Sequence, residues 1–280
     1  MLTYTSARNL LGTLSGDSSV NMLATFDTLH NQAIKEIVSM RPWPFRQKTW
    51  TRSTLTSNVH QLPADCGKVV NITVTIGSTK YKPRRVKSRE EWDRLTQSTN
   101  TTSNTPEAYF IFGDSYSFYP GPSSATSNAV TISGQRIAKD LSIADYTTGT
   151  ITSIANGATT VTGSGTSWTS KMAGRYIQIA DSNTANTGDG QWYEISSVTS
   201  ATVLELVAPY EGSSISAGTA AYTIGQTSII PEDFQMAPVH KVLQYYFEFI
   251  KPEKERAILA KNNYSDSLRY MQTELGSTAI

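Results

Sequence analysis

The chain has 280 residues, 38% of them hydrophobic and 10% aromatic, enough to bury the core of one large domain or two modest ones. A formal net charge of +1 gives no global signal for nucleic acid or membrane surfaces, and the single cysteine, Cys66, excludes an intramolecular disulfide and argues against a cysteine-built metal site. No run of about 18 apolar residues occurs and no basic segment leads into an apolar one at the start, so neither a transmembrane helix nor a signal peptide is expected.

Residues 17–40 carry Val20, Leu23, Phe26, Leu29, Ala33, Ile34 and Ile37 at a spacing that draws one stripe along a helix. Asp17, Ser18 or Ser19 can cap its start, and Pro42 stops it by disfavouring helical geometry in the residue before it. The stretch "RPWPFRQKTW" (41–50) follows. It reads either as aromatics displayed to a ligand or as a buried corner between a helix and a sheet.

Next comes a β pattern. "KTWTRSTLTSNVHQLP" alternates and turns, "KVVNITVTIG" is a strong strand, and "TKYKPRRV" is its hairpin partner. "SREEWDRL" predicts one short helix. "PEAYFIFGDSYSFYPGP" predicts two strands about Gly113-Asp114, and "NAVTISGQRIAKDL" one more.

Composition then shifts. Residues 147–226 hold only Lys171 and Arg175 as bases against Asp181, Asp189, Glu194, Glu205 and Glu211, and are dense in Thr, Ser, Gly and Ala. Short strands "GTITSI", "TTVTG", "GRYIQIA", "QWYEISSV", "TVLELV" and "AAYTIG" predict a self-contained β-sandwich or barrel. Because surface loops tolerate whole domains, we expect an insertion at 147–226 in a core of 1–146 plus 227–280. "PEDFQMAPVHKVLQYYFEFI" (231–250) and 252–275 are helical. Pro252 suits a first helical position, and Ala257, Leu259 or Ala260, Tyr264, Leu268 and Met271 form one face. The fold class expected is α+β: a bundle of the N- and C-terminal helices, a small antiparallel β-module, and an inserted all-β domain.

Chemistry-bearing motifs are sparse. "TGSGTSW" (162–168) lacks the lysine of a phosphate loop and lies between strands. His30, His60 and His240 have no second ligand at metal spacing. Glu90, Glu91 and Asp93 alternate with bases, as on a solvated helix face, and "DSNTANTGDG" (181–190) lacks the spacing of a calcium loop. No nucleophile-elbow pattern supports a hydrolytic triad. No catalytic, cofactor or metal residues are therefore assigned, and a non-enzymatic chain is expected. One basic cluster stands out: Lys80, Lys82, Arg84, Arg85, Lys87 and Arg89, beside Tyr81 and Trp92. It reads as a DNA- or partner-facing patch, or as a charged strand edge that discourages foreign pairing.

Four landmarks in order, "RPWPFRQKTW", "VHQLPADCGKVV", "PEAYFIFGDSYSFYPGP" and "IIPEDFQMAPVHKVLQYYFEF", resemble the head-to-tail adaptor, or tail tubular, proteins of tailed bacteriophages. That family has a W-P-F corner after a helix, an LPADF-x-K turn, a strand pair ending in YP-x-P, and an IPEEF segment opening the C-terminal helices. Here Cys66 stands where an aromatic is common. The resemblance covers residues 1–146 and 226–275, and the insert is similar to a β-module repeated in phage structural proteins. It makes Trp43 and Phe45 corner packing, clamping the helix against the first strand.

The resemblance implies a structural protein of the virion, assembled in the bacterial host cytoplasm and placed at the head–tail junction. It further implies a closed ring of about twelve copies under the portal protein, lining the DNA channel, with a tail or nozzle protein below and no membrane partner. DNA would be a transient, non-specific partner. The helices would make subunit contacts, and the C-terminal Ser277, Thr278, Ala279 and Ile280 would reach into portal grooves. A different class of function is a carbohydrate- or receptor-binding tail protein acting through Trp168, Tyr176, Trp192 and Tyr193 of the insert, if these share one exposed face.

Overall fold

A computed structural model describes residues 1–52, 59–97, 105–121, 129–181 and 187–276. Contacts divide the chain into two units, one from Met1–Ile37 and Asp140–Glu274, the other centred on Val38–Lys139. Helix α1, Tyr4–Ser15, is capped by Thr3, whose hydroxyl accepts from the Ser6 N–H at 3.1 Å. Its polar sequence hid it from the pattern reading, since Ala7 and Leu11 are its only fully buried apolar side chains, with Leu10 packed partly against the core. Helix α2, Val20–Ser39, follows the predicted stripe: Phe26, Ala33, Ile34 and Ile37 are buried. Val20 departs from it. As the first helical residue it is 78% exposed. Asp17 accepts from the Ser19 N–H, and the Ser19 carbonyl starts the helical ladder.

The chain then builds the second unit. Trp43 is wholly buried and stacks on half-buried Phe45, centroids 5.9 Å apart, across a short 3-10 turn at Pro44–Arg46. Strands β1 (Gln47–Arg52), β2 (Val59–Gln61), β3 (Cys66–Ile76), β4 (Thr79–Tyr81) and β5 (Arg84–Val86) follow. After them come helix α3 (Arg89–Thr96) and strands β6 (Ala108–Phe112), β7 (Ser115–Tyr119) and β8 (Ala129–Arg136). They form two four-stranded sheets, β1-β8-β3-β4 and β2-β7-β6-β5. The turn from β6 to β7 carries Gly113 at φ 60°, which suits glycine in a two-residue hairpin.

"TKYKPRRV" does double duty: β4 pairs with β3, whereas β5 leaves for the other sheet. There β5 runs parallel to β6, the one parallel pair among the described residues of the module. Alternation along β6 sorts its side chains. Tyr109 and Ile111 join Val69, Ile72, Val74, Val130 and Ile132 in a core shared by the two sheets, while Ala108 and Phe110 pack with Val86 and Trp92 under α3. The result is three layers: sheet, sheet, helix. In β8, a Cβ on Gly134 would lie 2.3 Å from the Lys68 carbonyl oxygen, beside a β-bulge at Val69–Asn71, so only glycine permits that approach.

Residues 150–225 form one seven-stranded sheet. Its strands are β9 (Thr150–Ile154), β10 (Thr160–Ser164), β11 (Tyr176–Ile179), β12 (Trp192–Ser200), β13 (Val203–Leu206), β14 (Ile215–Ala220) and β15 (Tyr222–Gly225). Their order is β14-β9-β10-β13-β12-β11-β15. Only Ala221 separates β14 from β15, yet they occupy opposite edges, so the sheet must curl toward itself. A half-barrel results, not two stacked layers, around Ile151, Trp168, Ile177, Leu204, Tyr210 and Tyr222. Strand β14 escaped prediction because "ISAGTA" has little β-propensity. Tyr146 and Ile224 exchange N–H···O bonds of 2.9 and 2.8 Å, bringing entry and exit side by side. Gln226 fixes the junction: its side-chain Oε1 accepts from the N–H groups of Ser142 and Ile143, and its side-chain Nε2 donates to the Asp140 carbonyl.

Two helices complete the first unit: α4, Met236–Tyr245, running into a π-helical turn at Tyr246–Ile250, and α5, Lys254–Leu275. Pro252 does not occupy the first helical position. The Ala257 N–H bonds the Glu253 carbonyl, so Glu253 is the cap and Pro252 lies before it. Ala257, Ala260, Tyr264 and Met271 are buried as expected, Leu268 only partly, and Leu259 is 61% exposed. Leu11, Phe26 and Ala33 pack with Val242, Leu243, Tyr246, Phe247 and Ala260 in the helical core, where Phe26 meets Tyr246 edge-to-face at 5.4 Å.

Candidate functional surfaces

The corner at 41–46 is structural. Arg46 donates from Nη1 to the carbonyls of Val38 (3.0 Å) and Arg41 (3.2 Å) and from Nε to Arg136 (3.3 Å), and Arg136 Nε returns a bond to Phe45. One guanidinium thus satisfies carbonyls at the α2 terminus and ties them to the end of β8. No periodicity reveals this. The basic residue inside a Pro-aromatic corner was the available signal.

The six cations of the basic cluster are all exposed, but they do not share a face. Lys80 lies on β4 at the edge of one sheet and Arg84 and Arg85 on β5 at the edge of the other. Alternation places Arg84 on the α3 side, where it pairs with Glu91 at 2.5 Å, and turns Arg85 to the opposite side. Arg89 pairs with Asp93 at 2.9 Å within α3. Among the described residues no ion pair holds Lys80, Lys82, Arg85 or Lys87. The other sequence candidate, Ser277, Thr278, Ala279 and Ile280, lies outside the described residues.

The four insert aromatics divide by strand alternation. Trp168 is 3% exposed and donates its indole N–H to the Tyr222 hydroxyl at 2.9 Å. Tyr193 is 9% exposed and points inward, its hydroxyl donating to Asp189 at 2.5 Å. Burial and that carboxylate push the Tyr193 pKa up to about 12. Tyr176 and Trp192 lie on the outer face, each half-buried. Two aromatics, not four, share that face.

Histidines do not converge. His30 is buried on α2, His60 faces Tyr116 between the sheets with ring centroids 5.4 Å apart, and His240 lies on α4 near Ser267. Among the described residues no group of three or more His, Cys, Asp or Glu side chains could hold a metal ion, and no helix is long and apolar enough to cross a membrane. The loop at 162–168 runs from β10 into a coil, and residues 182–186 of the "DSNTANTGDG" stretch lie outside the described residues.

The structure adds an apolar surface on α4–α5 that the sequence reading did not single out by residue. Tyr245 is 44% exposed, Phe249 67%, Leu259 61% and Tyr270 55%. Tyr245 and Phe249 pair at 4.9 Å, beside a groove of about 260 Å³ between α2 and α4 flanked by Leu29, Ala33 and Lys241. "YYFEFI" was the signal: five apolar residues in six exceed what one helix face can bury. The π turn sends Tyr246 and Phe247 to the core and leaves Tyr245 and Phe249 outside. Exposed apolar side chains such as the paired Tyr245 and Phe249 mark interaction surfaces.

A cleft of about 300 Å³ opens in the second unit between edge strands β1 and β2, lined by Trp50, Arg52, Leu62, Pro63, Tyr116 and Ile132. Asp65 at its side accepts from the Trp50 indole and the Lys48 ammonium, both at 2.8 Å. Burial opposes ionisation of Asp65, but those bonds outweigh it and hold its carboxyl below the usual range.

The family model for the SU10 adaptor protein matches residues 2–157. No curated protein matches the chain.

Proposed function

The chain belongs to the SU10 adaptor protein family, a phage head-to-tail adaptor family, and from that premise we propose that its copies close into a ring of about twelve beneath the portal protein. The adaptor role is structural, joining the head to tail components. In our reading the ring continues the DNA channel and presents a tail or nozzle protein with its docking surface. The observation that carries this is the family match, which spans more than half of the chain. The exposed aromatics of α4 and α5 support it, because a head-to-tail ring needs an apolar patch on each copy.

The division into an adaptor core of 1–146 plus 227–280 and an insert of 147–226 belongs to this proposal. The bridge between Tyr146 and Ile224 supports it by bringing the insert's ends together. Lys80, Lys82, Arg85 and Lys87 face partners, with DNA in the channel touched transiently. Near-neutral charge suits a wall along which DNA slides, since dense cations would hold it. Ser277, Thr278, Ala279 and Ile280 dock into the portal. The virion junction is the site of action, with assembly in the host cytoplasm and no catalysis.

Native mass spectrometry of the purified protein, alone and mixed with the portal ring of the same virus, tests the reading. Addition of about twelve copies to the portal ring is the expected result. Failure to bind the portal across a range of salt concentrations overturns it.

A further inference from the structure

We infer that the cleft between β1 and β2 binds a carboxylate carried on an apolar stem, and that its occupant is an aspartate or glutamate, followed by an apolar residue, on a partner polypeptide. The partner clause rests on the adaptor reading; the site itself does not. Strand register builds the cleft. Trp50 and Arg52 lie opposite Ile132 and Val130 on β8, on the inner face of an edge strand. His60 lies opposite Tyr116 on the inner face of the other sheet's edge strand. A core that is apolar elsewhere thus ends in an arginine and a phenol.

Thr51 and Gln61 also line the cleft, but the ionic group beside the Tyr116 hydroxyl is a pure donor. Arg52 Nη1 lies 3.1 Å from His60 Nδ1, which steadies the guanidinium. Tyr116 is 0% exposed, and its buried hydroxyl has no hydrogen-bond partner among the described residues. Arg52, the ionic group beside it, offers only donors, so the phenolic O–H has nothing to accept it. A buried unmatched donor calls for an explanation, and an acceptor entering the cleft supplies one. Asp65 does not serve: its oxygens accept from Lys48 and Trp50, and the Tyr116 hydroxyl has no partner among the described residues. The incoming group therefore accepts hydrogen bonds, and beside Arg52, which no ion pair holds among the described residues, it carries one negative charge.

The walls select among anions. Trp50, Leu62, Pro63 and Ile132 offer apolar surface for a side chain adjoining the charge, whereas a phosphodiester needs several cations and water access. The volume of about 300 Å³ is at the small end of ligand pockets, roughly 300–1,000 Å³, enough for one acidic side chain and part of its neighbour.

The probe is acetyl-Glu-Phe-amide, titrated into the full-length protein and followed by the Arg52 Nε–H and Trp50 indole NMR signals. Saturable shifts at both are expected, with acetyl-Gln-Phe-amide binding about tenfold more weakly or worse. Arg52→Leu should abolish binding. Tyr116→Phe removes an unmatched hydroxyl, so it should leave the fold and melting temperature intact while weakening the dipeptide several-fold. Equal binding of the glutamine analogue, displacement by millimolar inorganic phosphate, or no saturation overturns the site. If the dipeptide binds but the portal ring does not, the site stands and the adaptor reading falls; portal binding without dipeptide binding gives the reverse. Portal and tail-protein binding unchanged in Arg52→Leu overturns the partner clause alone.

Discussion

His30 makes the helical unit sensitive to mild acid. It is 7% exposed on α2, and burial pushes its pKa from 6.5 down to about 4. The unfolded chain takes up a proton near pH 6.5 that the folded chain refuses until about pH 4, so native stability rises with pH across that window and falls on acidification. A difference of about 2.5 pKa values corresponds to about 3 kcal/mol once the pH is well below 4, and to about 2 kcal/mol at pH 5. Burial lowers His240 in the same direction, so its cost adds. Asp17 and Glu253, both held below the carboxylate range, lose their contributions only as pH falls below about 4. The window from about pH 7 to 5 therefore lies above the carboxylates, and the comparison with a His30 variant isolates that imidazole. Urea unfolding followed by far-UV circular dichroism at steps across it should show the wild type losing about 2 kcal/mol more than His30→Leu. Parallel pH profiles for the two proteins would refute the assignment of a buried neutral imidazole.

Three further perturbations probe the helix-to-sheet corner and the close approach of β8 to β3. Trp43→Ala, at a wholly buried ring, should cost about 3–5 kcal/mol, read as a lower midpoint in thermal unfolding, with Trp43→Phe well below that. Arg46→Met strands the carbonyls of Val38, Arg41 and Arg136 and should cost about 3 kcal/mol or more; a loss under about 1 kcal/mol would show that water replaces the guanidinium. Gly134→Ala drives a methyl to 2.3 Å from the Lys68 carbonyl, so the soluble yield should fall sharply, whereas Gly157→Ala, with open space around its Cβ position, should carry only the smaller strain of positive φ, measured side by side by denaturant midpoint.

The sequence by itself determined the element types. Wherever one face of an element is apolar at a fixed period, as along α2 or α5, burial of that face leaves little choice of secondary structure. It also pointed to the family, through short motifs whose order along the chain is readable without contacts. Tertiary structure alone decided where those elements go. "TKYKPRRV" reads as one strand, yet its two halves serve different sheets, because Pro83 interrupts the run and the choice of partner depends on β6, which lies more than twenty residues on. Six strands in the insert fitted a sandwich or a barrel equally. The edge position of β14, a strand of small residues that propensity cannot mark, turned the sheet into a half-barrel. The candidate surfaces divide the same way. Six neighbouring cations suggested one patch, but strand alternation and two ion pairs disperse it. The cleft at Tyr116 left no trace in the sequence, since an unmatched phenol beside an arginine arises only when two edge strands from different sheets face each other. Periodicity is local and survives in the sequence; pairing and juxtaposition are non-local, and only the folded chain holds them.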